Sequence, residues 1–284
     1  MSIIMLDSVI IKKIEDLIYS KPRSVQEVAL HIGKNWRTAD RYIEEIEKNF
    51  GTISTRVFRE GTRGALKIVY WASIEKISSS VFQERLEKEI TNLKRKEDFS
   101  AFDIYQHIDK KNKKVTIEEA KDENDTNLKE IIDLINSAEK QLIIFSGNLS
   151  FVNLSNKSGN LFEILDKLVK KGISIKILCR IDVAGKENIE KMLSLNFKYG
   201  KEKVEIRHSE HPLRAIIIDN KIFRLKQIAE PTGKYRELNK KLFMFYTIKD
   251  KEWIEWLTKI FWKMFNSSIG ADKRLNELNS LLIN

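Results

Sequence analysis

The sequence predicts an α/β chain preceded by a small mixed α+β domain, and three observations carry that expectation. A length of 284 residues suits about two domains. From Leu128 onward, short apolar runs of strand length alternate with amphipathic stretches of helical length, the pattern of an α/β layer structure. Ahead of them, helical patterns are followed by two strand-like runs around a Gly-flanked turn. The boundaries read from these patterns are 1–72 for the small domain, 73–127 for a connecting helix and charged linker, and 128–284 for the α/β domain.

Composition narrows the classes of function. Hydrophobic residues make up 42% of the chain and aromatics 9%, enough for a core in each domain, so the 32% of charged residues describes a surface and not a disordered chain. Lys and Arg number 51 against 41 Asp and Glu, and the net charge of +10 favours a polyanionic partner such as nucleic acid. Cys179 is the single cysteine, which excludes an internal disulfide and a cysteine zinc cluster and suits a reducing, cytoplasmic location. No apolar run approaches the roughly 18 residues of a membrane span, and Met1 to Ile14 lacks the pattern of a signal peptide.

In the first domain, Ile10, Ile14, Leu17 and Ile18 line one face of a helix that Lys21-Pro22-Arg23 ends. Ser24 and Glu27 form a capping box, each side chain satisfying the other residue's backbone amide. A second helix follows with Val25, Val28, Ala29 and Ile32 inward, and stops at Gly33. After Lys34–Asn35, a third helix buries Ala39, Ile43, Ile46 and Phe50, which leaves Trp36, Arg37, Thr38, Arg41 and Glu45 largely on other faces. Strands Thr52–Arg59 and Ala65–Trp71 flank the tip Gly61-Thr62-Arg63-Gly64. This order is that of a winged helix, and SVQEVALHIGKNWRTADRYIEEIEK resembles the helix-turn-helix of prokaryotic and archaeal transcription regulators. The resemblance implies that Asn35, Trp36, Arg37, Thr38 and Arg41 enter the major groove of duplex DNA, while Arg59, Thr62 and Arg63 on the wing meet phosphate or the minor groove. Between Lys34 and Lys67 eight basic residues face five acidic ones, so the placement of the arginines, more than their number, supports DNA contact. Two alternatives stay open: a winged helix used for protein or RNA contact, and Trp36 as a staple on its own domain.

Ile74, Ile77, Val81, Phe82, Leu86, Ile90 and Leu93 form an apolar stripe on one long connecting helix, with a break in heptad register between Val81 and Leu86. The stripe suits either a dimerisation helix or a helix packed on its own chain. Lys94 to Thr126 reads as a charged linker with one weakly anchored patch, Phe99 to Tyr105.

The third zone reads as helix Leu128–Ala138, strand Gln141–Ser146, helix Leu161–Lys171 stopped by Gly172, strand Ile173–Cys179, a helix from Glu187 to Leu195, strands Val204–His208, Ala215–Ile218 and Leu242–Ile248, and the aromatic helix Trp253–Phe265. The segments QLIIFSGN, KKGISIKILCRID, RAIIIDN and KLFMFYTIKDKEWIEWLTKIFWKMF resemble one repeat of the phospholipase D superfamily over about Leu128 to Ser268. Laid on that family's H-x-K-x-x-x-x-D motif, Asp219 takes the Asp position, Arg214 the Lys position, and Pro212 stands where the nucleophilic His belongs. Proline cannot form the covalent phosphoenzyme, and His211, one residue away, faces the other side of a strand. The whole arrangement resembles the TrmB family of archaeal transcription regulators, which implies a last domain that senses a small molecule and performs no chemistry.

The function expected from this reading is a dimeric, DNA-binding transcription regulator that is not an enzyme. The alternative is a phospholipase-D-superfamily nuclease or phosphodiesterase directed to DNA by the winged helix. Open α/β sheets bind ligands beyond the carboxyl ends of their strands, which points to Ser146, Asn148, Arg180, Asp182 and Arg214 for an effector. The two arginines suit an anionic group, or are paired structurally, for example with Asp182 or Asp219. His208 and His211 lack a supporting cluster of ligands, so neither metal nor cofactor is expected.

Overall fold

The computed structural model describes residues 8–49, 52–59, 65–71, 79–119, 128–157, 159–231, 238 and 240–282. The chain divides into two compact units, residues 1–81 with 228–242 and residues 82–227 with 243–284.

The first unit runs α1 (Ser8–Ser20), β1 (Arg23–Ser24), α2 (Val25–His31), α3 (Trp36–Asn49), β2 (Ile53–Arg59) and β3 (Ala65–Trp71). Its core joins Ile14 and Ile18 of α1, Val25, Val28 and Ala29 of α2, Ala39, Ile43 and Ile46 of α3, and Ile53 and Val69 of the hairpin. These positions recur every three or four residues, so each helix turns a single face inward. Ser24 Oγ accepts from the Glu27 amide at 3.2 Å and the Glu27 carboxylate accepts from the Ser24 amide at 2.8 Å, the reciprocal cap that starts α2. Gly33, at φ +65°, makes the left-handed turn that separates α2 from α3. The sheet order is β1-β3-β2, and the β2–β3 register runs from Ile53 opposite Trp71 to Arg59 opposite Ala65. Two polar clasps hold α3 on the hairpin. Glu47 accepts from the Ser54 hydroxyl at 2.8 Å and the Thr55 amide at 2.9 Å, and Lys67 meets Asp40 at 2.7 Å and Glu44 at 3.0 Å. Phe50, Thr62 and Arg63 lie outside the described residues.

The second unit takes in α4 (Ser79–Asn92) from Phe82 onward, then α5 (Ala101–Tyr105), β4 (Lys113–Glu119), α6 (Leu128–Asn136), β5 (Gln141–Ser146), β6 (Ser155–Asn156), β7 (Gly159–Asn160), α7 (Leu161–Lys170), β8 (Ser174–Cys179), α8 (Lys186–Tyr199), β9 (Val204–His208), β10 (Ala215–Ile218), β11 (Ile222–Ala229) as far as Gln227, β12 (Leu242–Ile248) from Phe243, α9 (Lys251–Ser267), β13 (Ile269–Gly270) and α10 (Ala271–Leu282). Its main sheet has the order β13-β9-β8-β5-β10-β11-β12-β4. β5, β8 and β9 are parallel, and β10 is antiparallel to both β5 and β11. One face of the sheet carries Leu142, Ile144, Ile175, Ile177, Val204, Ile206, Ile216 and Ile218, covered by apolar side chains of α6, α7, α8 and α10. The other face carries Phe145, edge-on to Phe261 of α9 at 5.2 Å, and Tyr246, 5.0 Å from Tyr105 of α5. Helices on both faces explain why the central strands are apolar throughout and do not alternate. The unit is thus α/β, with a mixed sheet.

Two expectations are corrected here. Leu86 and Ile90 of α4 are 0% exposed within one chain. Near them in sequence, the Phe82 ring lies tilted against His107 with centroids 4.1 Å apart, Arg85 lies 3.6 Å from Asp103, and Glu87 meets Lys263 of α9 at 2.6 Å. This part of the stripe is therefore core of the second unit and is not available to a second copy; Ile74 and Ile77, and the side chain of Val81, lie outside the described residues. The helix itself ends at Asn92, one residue before Leu93, the last residue of the apolar stripe. The supposed linker is also structured through Glu119. Phe99, Ala101, Phe102, Ile104, Tyr105 and Ile108 are buried, and β4 closes one edge of the main sheet. An edge strand tolerates the lysines and glutamates that made this stretch look like a connector.

Asp219 has a structural task that the motif alignment hides. β10 runs antiparallel to β5 with Ala215 opposite Phe145 and Ile218 opposite Leu142, so Arg214 lies where β5 ends and Asp219 where β5 begins. At φ +51°, Asp219 accepts from the amides of Glu139 (2.7 Å), Lys140 (2.9 Å) and Gln141 (2.8 Å). Burial opposes its charge, but the three amides prevail and hold its pKa below the ordinary aspartate range. Asp219→Ala should lower stability by about 1–3 kcal/mol, measured as a shift in urea midpoint. Because the folded pKa is depressed, this contribution is complete above the unfolded value of about 4 and disappears as pH falls through the folded one. The gap between wild type and Asp219→Ala should accordingly close in acid; a gap that persists at low pH would contradict the carboxylate's role.

Candidate functional site

Each unit presents one candidate surface. On the first, the inward stripe of α3 leaves Arg37 and Arg41 exposed one helical turn apart on the outer face. The Arg41 guanidinium lies 5.4 Å from the Tyr42 ring centroid, which steadies it without consuming its donors. Asn35 Oδ1 accepts from the Thr38 amide at 2.9 Å, so Asn35 caps α3 and its oxygen is committed locally. Trp36 is half-buried and packs on the core, the staple role. Thr38 is half-buried beside it. Arg59 is the last residue of β2, and Thr62 and Arg63 lie outside the described residues. Lys67, basic and close by in sequence, is held by Asp40 and Glu44 and is no part of this surface.

The second surface is the end of the main sheet where β5 and β8 finish and β10 starts. The fold brings Ser146, Asn148, Arg180, Asp182 and Arg214 to this end, but most are occupied with the turns that build it. Ser146 is buried and its hydroxyl accepts from the Leu149 amide at 3.2 Å, in a turn that puts Leu149 at φ +60°. Asn148 Oδ1 accepts from the Ser150 amide, and its carbonyl accepts from Asn188 Nδ2. Asp182 takes the Gly185 amide on one oxygen at 2.8 Å and Arg180 Nε on the other at 2.7 Å.

Arg214 differs from these. Its Nη1 donates to the carbonyls of Leu213 (2.8 Å) and His211 (3.4 Å), and its Nε and Nη2 have no partner among the described residues. The guanidinium lies against the backbone of Gly147, where an added Cβ would sit 2.7 Å from Nη2, so glycine is what allows it there. Among the described residues no carboxylate is within 4 Å of it, and Asp219, one expected partner, is at the far end of β10. Burial lowers the pKa of Arg214, the Arg180 charge lowers it further, and Glu97 acts in the opposite sense. Glu97 itself lies 3.7 Å from Lys96 and acts on Arg214 only through its long-range charge. The arrangement can hold an anion.

The histidines are built into the scaffold. His211 is buried, its Nε2 donates to the Leu178 carbonyl at 3.0 Å, its ring is edge-on to Phe145, and burial pushes its pKa down to about 4. His208 Nδ1 accepts from the Ile181 amide at 2.9 Å. Pro212, in the place of the motif's histidine, is buried as well. Among the described residues no group of three or more His, Cys, Asp or Glu is placed to hold a metal ion, and no helix is long and apolar enough to cross a membrane.

No family model and no curated protein matches the sequence. Solved structures do match. Nuc from Salmonella typhimurium, a phospholipase D family member, is 14% identical with a TM-score of 0.39, over 56% of this chain and 97% of its own. NucT from Helicobacter pylori is 20% identical with a TM-score of 0.39, over 56% and 99%. TrmBL2, an archaeal chromatin protein with a novel mode of DNA binding, is 14% identical with a TM-score of 0.39 and is matched over 95% of its length and 94% of this chain. The chain is similar to these proteins in outline, and at that level the likeness carries no argument about what it binds or does.

Proposed function

We propose that this chain is a dimeric, cytoplasmic transcription regulator that binds duplex DNA through a winged helix in its first unit, with a phospholipase-D-like second unit that senses a small molecule and catalyses nothing. The observation that carries the DNA reading is the pair Arg37 and Arg41, exposed on the first two turns of a helix whose opposite face is core. Such a helix can enter a major groove N-terminus first, where arginine makes paired hydrogen bonds to guanine. Fluorescence anisotropy of a labelled duplex pool at low salt tests it: saturable binding by the intact chain supports the reading, and none at any protein concentration contradicts it. Sedimentation at twice the chain mass is expected for a regulator of two half-sites.

The non-catalytic reading rests on the fate of the imidazoles. A phosphodiester attacked by histidine needs an exposed ring nitrogen, and His211 spends its Nε2 on a carbonyl inside the core while Pro212 has none. Purified protein should therefore release no product from single-stranded DNA, duplex DNA or bis-nitrophenyl phosphate, with or without divalent metal. Turnover that vanishes in His211→Ala would restore the nuclease.

A further inference from the structure

β4 ends the main sheet with a sequence that is complementary to itself. Among the described residues it is the last strand of the sheet, paired on one side with β12. An edge strand presents a row of backbone donors and acceptors to whatever strand comes alongside. Their phase follows from the ladder. The Lys249 amide donates to the Asn112 carbonyl at 2.8 Å, so Lys114, Thr116 and Glu118 turn their backbone groups toward β12. The side chains agree with that register, which sets Lys114 opposite Thr247: Lys114 and Arg224 share the Glu130 carboxylate, and Arg224 also reaches Thr247. Val115 and Ile117 therefore point their amides and carbonyls outward.

The strand reads KKVTIEE, two lysines at one end, two glutamates at the other and three β-branched residues between. Run antiparallel to a second copy with Thr116 opposite Thr116, it sets Lys114 opposite Glu118, Lys113 opposite Glu119 and Val115 opposite Ile117. The Val115–Ile117 pairs then fall at the hydrogen-bonded positions that the outward groups require. A shift of two residues, the smallest that keeps the same groups facing out, sets Lys114 or Glu118 against Thr116 instead. A parallel alignment in register stacks lysine on lysine. Charges scattered along an edge keep other strands away, whereas charges segregated in this way admit one partner in one register. Lys114 is the better placed of the two lysines. Its side chain is 70% exposed with Glu130 at 3.3 Å, while Lys113 is turned to the Tyr105 carbonyl at 2.8 Å.

We propose that β4 pairs with β4 of a second copy, antiparallel about Thr116, and so joins the two main sheets into one. This rests on the reading of the chain as a dimer and assigns its seam, which Leu86 and Ile90 of α4 do not supply because they lie in the core of their own chain. Glu130 is held on its other side by Arg224 at 2.8 Å, so it keeps a counter-charge when Lys114 turns to Glu118 of the second copy. Such a seam consists of backbone hydrogen bonds and cross-strand charge pairs, and high salt should loosen it.

The experiment is sedimentation velocity of the intact chain and its variants over a range of concentrations, with urea unfolding of each as the control for folding. Wild type should sediment at twice the chain mass. Val115→Pro removes an outward amide and leaves the donors of the β12 ladder in place. It should raise the dimer dissociation constant about tenfold or more with little change in urea midpoint. Lys114→Glu sets glutamate against glutamate at both Lys114–Glu118 pairs, and Glu118→Lys sets lysine against lysine there. Each alone should raise the dissociation constant about tenfold. Mixed in equal amounts, the two variants should restore a dimer, since one copy of each returns opposite charges to both pairs. This rescue serves if Val115→Pro does not fold. A dimer as tight in both charge variants as in wild type would overturn the proposal and leave the dimer reading standing, with its seam elsewhere. A mixture of the two that associates no better than either alone would do the same. A wild type that sediments as a single chain at every concentration would overturn both.

Discussion

Replacing Arg37 and Arg41 together with alanine should remove about 2–6 kcal/mol of binding to a selected duplex site, roughly 30-fold to 10⁴-fold in affinity, since each well-placed arginine–guanine pair contributes about 1–3 kcal/mol. The protein should remain folded. Both side chains are exposed, neither belongs to the core, and the cap on α3 comes from Asn35. An unchanged urea midpoint alongside lost affinity separates a reading defect from a folding defect. The single change Arg41→Ala should also relax preference at one base position, measurable by repeating selection with the variant. Should the double variant bind the selected site as the wild type does, α3 is not the reading element.

The second large effect is expected on folding. Leu86→Lys places an ammonium at a position with no exposure, between Arg85, which reaches Asp103 of α5, and Glu87, which reaches Lys263 of α9. Loss of the buried leucine alone costs about 2–5 kcal/mol, and an unpaired buried charge adds to that. Against a typical total of about 5–15 kcal/mol, the cooperative unfolding transition of the second unit should be lost or displaced far down in urea. A dimer seam would behave differently: the variant would sediment as a folded monomer with its unfolding transition intact. Circular dichroism in urea together with sedimentation of the same sample distinguishes the two.

The sequence made the regular parts of this protein legible and the context-dependent parts not. Strands Gln141–Ser146, Val204–His208, Ala215–Ile218 and Leu242–Ile248 have the bounds that the apolar runs indicate, because each run is short, rich in β-branched or aromatic residues and bounded by turn residues. Ser24 with Glu27, and the left-handed Gly33 and Gly172, mark helix ends through chemistry confined to a few neighbouring residues. β11 was hidden because Arg224 sits in its middle; only the fold supplies Glu130, 94 positions away in sequence and 2.8 Å away in space, and Thr247 at 3.1 Å. β4 and α5 were hidden by the charges around them, which an edge strand and a short buried turn of helix both accommodate. At the candidate sites the residue types were readable, but not which of them the local backbone would claim. Asn35, Ser146 and Asp182 each give an oxygen to a nearby amide, while Arg214 meets the backbone of Gly147 only through the tertiary fold.

The central claim is sequence-specific duplex binding by the first unit, and its most direct measurement is the salt dependence of affinity for two duplexes of equal length, one selected from a random pool by the intact chain and one scrambled. The account predicts that the selected duplex binds about 10³-fold or more tightly at physiological salt, and that log affinity for both falls linearly with log salt as phosphate counterions are released. Equal affinity for the two duplexes, or no duplex binding even at low salt, would contradict it.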